Sequence, residues 1–85
     1  MAEASPRSIQ VRFFAVLREQ AGKSVLDLTT AAATPTELYC ELQASHGLTF
    51  PANLLRVSIN ERYVTMETSL QSGDRVVFIP PVAGG

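Results

Sequence analysis

Apolar and polar residues alternate along residues 9–14 (IQVRFF), the period-two signature of a strand with one buried face. Residues 15–22 (AVLREQAG) break that alternation with good helix formers. Gly22 follows where a left-handed terminal residue is favoured, which predicts one or two helical turns. Alternation resumes in residues 24–30 (SVLDLTT), turning Leu26 and Leu28 inward and Asp27 to water.

The clearest local signal begins at Thr34. Thr34, Pro35 and Glu37 read as an N-cap, a proline at the first helical position and a capping-box acid. Leu38 and Leu42, with Tyr39 beside them, form an apolar stripe, and Gly47 ends the helix after His46. A loop (LTFPAN) leads to a strand in LLRVSIN, with Leu55, Val57 and Ile59 on one face. A tight turn containing Asn60 gives a short strand in ERYVTM. LQSGD is a second turn, and RVVFI is the last strand, stopped by Pro80 and Pro81.

The predicted order is β, short α, β, α, β, β, β, an α+β domain. A mixed five-stranded sheet packs on one main helix, with an additional short helix after the first strand. Residues 1–8 read as a flexible lead, 9–79 as the folded domain and 80–85 as an extended tail. The inward set is Ile9, Val11, Phe13, Leu26, Leu28, Leu38, Leu42, Leu55, Val57, Ile59, Val76 and Phe78. By the same alternation the opposite face carries Arg12, Phe14, Arg56, Ser58, Arg75, Val77 and Ile79. Phe14, Val77 and Ile79, joined by Tyr63, form an apolar patch beside arginines, which predicts a docking surface.

Composition narrows the function. The 85 residues make one small domain, burying roughly 60% of its unfolded surface. Net charge is −1, with no basic excess of the kind nucleic acid attracts. VVFIPPVA is too short to span a bilayer, and the start carries Glu3 where a secretory signal needs an apolar run. One cysteine, Cys40, and one histidine allow neither an internal disulfide nor a zinc spacing. A reduced, cytoplasmic protein with no metal, nucleic-acid or membrane partner is expected. Cys40 lies off the helix stripe with no basic neighbour to activate it, and His46 has no nucleophile or carboxylate around it in sequence. No nucleophile–base pair or phosphate-cradling loop is present either, so the chain is not expected to be an enzyme on its own.

FFAVLREQAG (13–22), INERYV (59–64) and LQSGDRVVFIPPVAGG (70–85) resemble the small, sulfur-carrying subunit of molybdopterin synthase. The resemblance runs from about residue 9 to residue 85. Ala83 stands where that family often has a small hydroxyl residue. The resemblance implies the ubiquitin-like β-grasp fold and a chemistry centred on Gly85. A ubiquitin-activating-enzyme-like partner adenylates the Gly85 carboxylate with ATP, and a sulfur donor displaces AMP to leave a thiocarboxylate. The large synthase subunit, in an expected heterotetramer with two of each, then passes that sulfur to a cyclic pyranopterin phosphate. No cofactor is bound by the chain itself.

The tail residues fit that chemistry. Gly84 and Gly85 lack Cβ atoms, so a narrow channel can admit the main chain and the terminal carbon stays open to attack. Val82 and Ala83 continue the tail, while Pro80 and Pro81 are expected to hold its base extended and clear of the sheet. Ordering the last four residues costs about 4–8 kcal/mol. Burying Phe14, Tyr63, Val77 and Ile79 contributes up to roughly 6–12 kcal/mol, so the patch is expected to anchor while the tail reacts. Arg18, in the resembling block, is a further candidate contact. Two alternatives share the fold and the activation step: a ubiquitin-like protein modifier, and a sulfur carrier for thiamine or tRNA thiolation.

Overall fold

The computed structural model describes residues 6–81. The elements are β1 (Arg7–Phe13), α1 (Ala15–Ala21), β2 (Val25–Thr30), α2 (Pro35–His46), a 3-10 turn at Ala52–Leu54, β3 (Arg56–Ile59), β4 (Arg62–Val64) and β5 (Arg75–Ile79). The order of elements matches the alternation-based expectation. The sheet runs β2-β1-β5-β3-β4, with β1 and β5 parallel at its centre and the other pairs antiparallel.

One face of this sheet is covered by α2. Thr34 caps α2 by accepting the Glu37 N–H at 3.3 Å, and Glu37 accepts the N–H of Ala33 at 2.8 Å, one residue before the usual box partner. Gly47 closes the helix at φ 69°, donating its N–H to the Gln43 carbonyl. The stripe then buries Leu38, Tyr39 and Leu42 in a core with Val11, Phe13, Val57, Val76 and Phe78. The Tyr39 and Phe78 rings meet at 5.2 Å and 57°, a tilted aromatic pair across the helix–sheet interface.

Several expectations shift in detail. β1 begins at Arg7, because Arg7 and Ser8 pair with Thr30 and Thr29; polar residues paired on an edge leave no hydrophobic period to read. Leu26 and Leu28 are half-buried where full burial was expected, since β2 is an edge strand. Leu55 is buried but lies just before β3, as the residue that closes the 3-10 turn. Ser58, expected to face water, is buried: its small side chain sits in register between Val77 and Tyr63. Leu17, Ala32, Leu48 and Leu70 complete the core from α1 and the connecting segments, where no strand or helix period marked them.

Candidate functional site

The last strand leaves the sheet at a groove of about 490 Å³ lined by Phe14, Ala15, Val16, Phe50, Ile79, Pro80 and Pro81. One wall is the junction of β1 and α1. Phe14 has extended backbone as the N-cap of α1, and Ala15 then takes φ 52°, a left-handed geometry that L-residues disfavour. This turns the chain sharply and leaves Phe14 46% exposed at the lip of the groove.

The opposite wall is Phe50, held from both sides. Thr49 donates its N–H to Gln20 Oε1 at 2.9 Å, and Gln20 Nε2 donates back to Thr49 Oγ1 at 3.0 Å. The Tyr39 hydroxyl donates to the Phe50 carbonyl at 2.8 Å. Burial pushes the Tyr39 phenol above its ordinary value near 10.0, so it remains a neutral donor through the physiological range. Loop, short helix and main helix are thereby fastened together where the tail departs.

Pro80 is buried against this groove and Pro81 is exposed. The strand ends at Ile79, so the prolines expected to hold the tail base clear of the sheet lie outside it, but Pro80 packs into the groove. Pro80 has no N–H for a ladder, and its apolar ring finds a site beside Ile79 and Phe14. The expected tail residues Val82, Ala83, Gly84 and Gly85 lie outside the described residues.

The expected patch divides into two zones on the sheet face away from α2. Phe14 and Ile79 belong to the tail-root groove. Val77 and Tyr63 lie in a row that crosses all five strands in register: Val25, Arg12, Val77, Ser58, Tyr63. Tyr63 is 73% exposed on the outer strand, whereas Val77 and Ile79 are half-buried, so they offer less fresh area to a partner than full exposure would. Arg18 is exposed on α1, and its carbonyl accepts the capping N–H of Gly22 at 2.9 Å. Val16 and Phe50 were missed. A seven-residue helix buries too few side chains to show a stripe, and a loop aromatic has no period at all.

None of the other tempting residues lines the groove. Cys40 is exposed on α2. His46 occupies the last turn of α2, its ring 6.5 Å from Phe13. Asp74 is buried, accepting from Asn60 Nδ2 at 2.9 Å and from the Gln71 N–H at 2.8 Å, and so ties two turns together. Among the described residues no group of three or more His, Cys, Asp or Glu is placed to hold a metal, and no helix is long and apolar enough to cross a membrane.

The sequence matches the ThiS family over residues 11–85. It is 35% identical over 81 residues to the molybdopterin synthase sulfur carrier subunit of Haemophilus influenzae, covering 91% of this chain and 99% of that one. A chain of the complex between subunits 1 and 2 of molybdopterin-converting factor from Helicobacter pylori superposes with a TM-score of 0.64 at 26% identity, covering 92% of this chain and 99% of that one. The small archaeal modifier protein 1 of Methanosarcina acetivorans shares the fold, with a TM-score of 0.75 at 22% identity over 94% of this chain and 98% of its own. With its ubiquitin-like β-grasp sheet, its single covering helix and a match running from the middle of β1 to residue 85, this chain belongs to the ThiS family.

Proposed function

We propose that this chain is the sulfur-carrier subunit of a molybdopterin synthase, with Gly85 as the carrying residue. The observation that carries this reading is the near full-length relationship to a molybdopterin synthase sulfur carrier subunit, which spans 99% of that relative. The tail root is consistent with it: Pro80 is buried, and five residues (81–85) follow it to Gly85.

In this reading an adenylating enzyme joins the Gly85 carboxylate to AMP from ATP, releasing pyrophosphate. A sulfur donor attacks the activated carbon, AMP leaves, and a thiocarboxylate results. The tail then enters the large synthase subunit, where the sulfur is passed to a cyclic pyranopterin phosphate. Two sulfurs make one dithiolene, so two charged carriers serve each product. The chain acts as a reagent that is recharged, and the catalytic groups belong to its partners. A large-subunit partner is favoured by the Helicobacter pylori relative, which is found in a complex of subunits 1 and 2.

The test is the intact mass of the chain after incubation with ATP, a sulfide source and the cognate adenylating enzyme, beside a chain lacking Gly85. The expected result is a gain equal to exchanging one oxygen for one sulfur, absent from the truncated chain. Covalent adducts to lysines of other proteins, without that gain, would instead establish the modifier alternative.

A further inference from the structure

β5 carries the two half-buried apolar residues of the open face, Val77 and Ile79, and leads directly into the tail. Each has an exposed arginine directly opposite in register, on different sides of the strand: Arg12 on β1 faces Val77, and Arg56 on β3 faces Ile79. Two strand spacings across and two residues along place these arginine Cα atoms roughly 12 Å apart, diagonally across β5.

Most carboxylates among the described residues already have a partner within the chain. Glu41 accepts from Thr30 at 2.6 Å, Glu37 from Ala33, and Glu67 from Thr36 at 2.9 Å. On the open face Asp27 accepts from Gln10 at 3.3 Å, and Glu61 stands 3.9 Å from Arg75, the one ion pair among the described residues. No ion pair engages Arg12 or Arg56 among the described residues, and the two flank the apolar track of Val77 and Ile79. A long side chain can fold its methylenes over Val77 or Ile79 while its guanidinium offers a planar fork to a carboxylate.

We propose that the protein surface this carrier docks against presents an apolar ridge flanked by two carboxylates, one for Arg12 and one for Arg56, spaced to straddle β5. The inference rests on the sulfur-carrier reading and adds the chemistry of the partner's face. The two diagonal charges set the angle at which β5 lies on the partner, and hence the direction in which residues 80–85 are fed toward its active centre. Tyr63 and Phe14, at opposite ends of the open face, extend the apolar contact.

The experiment is a titration of the wild-type carrier against the purified cognate large synthase subunit and, separately, the cognate adenylating enzyme, at low and high salt. It is repeated with Arg12→Glu, Arg56→Glu and the double variant. Arg62→Glu is the control, since Arg62 is exposed but pairs in register with Ile59 and so lies on the other face. Circular dichroism checks the fold of every variant.

Each reversal is expected to weaken binding about tenfold. The double variant should lose most of the salt dependence, and Arg62→Glu should bind as wild type does. Wild-type affinity with unchanged salt dependence in the double variant would overturn the proposed carboxylate pairing while leaving the carrier reading intact. Wild-type protein that binds neither enzyme would overturn the carrier reading, and this proposal with it.

Discussion

Glu61 has a side chain that fits its backbone poorly. Asn60 and Glu61 form the two-residue loop between β3 and β4, with φ 53° and 73°, the positive pair that a type I′ turn demands. Asparagine enters that region more readily than glutamate, for which it costs roughly 1–2 kcal/mol. Glu61→Gly creates an Asn-Gly turn and is expected to stabilise the domain by about 1 kcal/mol, raising the melting temperature by about 4–8 °C. The cost is an exposed contact to Arg75 at 3.9 Å, worth little in water. An unchanged or lower melting temperature would show that the turn is not strained.

Asp74 makes the opposite case. Its carboxylate satisfies the Asn60 amide and the Gln71 N–H, so Asp74→Ala leaves two donors in a part-buried turn without their acceptor. A loss of about 2–3 kcal/mol is expected in urea unfolding. Sequence alone marked Asp74 only as a turn residue beside Gly73; its partner Asn60 is fourteen positions away, and no local pattern links them.

At the scale of elements, α2 was legible almost to the residue because all its signals are local: a threonine cap, a proline at N1, an i,i+4 leucine pair and a closing glycine. Thr34→Ala is expected to cost about 1 kcal/mol in the same unfolding assay. β2 was legible as a strand, but its position at the sheet edge was not. Leu26 and Leu28 are therefore less buried than their alternation implies.

The contact between α2 and the loop before β3 carries a pH dependence. Folding raises the Tyr39 pKa by burial, so the folded protein holds that proton more tightly than the unfolded chain. Stability is full below the unfolded value near 10.0 and is lost as pH rises above it. Tyr39→Phe should remove this part of the alkaline decline while costing roughly 1 kcal/mol at neutral pH for the lost bond to the Phe50 carbonyl. Denaturant titrations of both proteins at neutral and alkaline pH check this; parallel alkaline declines would assign the loss to other groups.

For the whole molecule, the groove at the tail root and the open sheet face lie on one continuous surface, with β5 running from one to the other. On the proposed carrier function, Phe14→Asp is expected to weaken binding to both the large synthase subunit and the adenylating enzyme, with the fold intact because nearly half of the side chain is already in water. A binding titration that gives wild-type affinity would remove Phe14 from the docking surface. The gain on burying this surface falls below the estimate from fully exposed side chains, since Val77 and Ile79 are half-buried before any partner arrives.

The amino-acid sequence by itself determined the order and type of the elements, the helix caps, the strand faces and the family, because each rests on near-neighbour periodicity or on a contiguous motif. Tertiary structure alone decided which strands became edges, why Ser58 is buried, that Phe50 and Val16 wall the tail root, and that Pro80 packs instead of standing free. It also decided the placement of Arg12 and Arg56 across β5, since the parallel β1–β5 pairing joins residues more than sixty positions apart. Alternation tells a residue which face of its own strand it occupies; only the register between strands says what lies beside it.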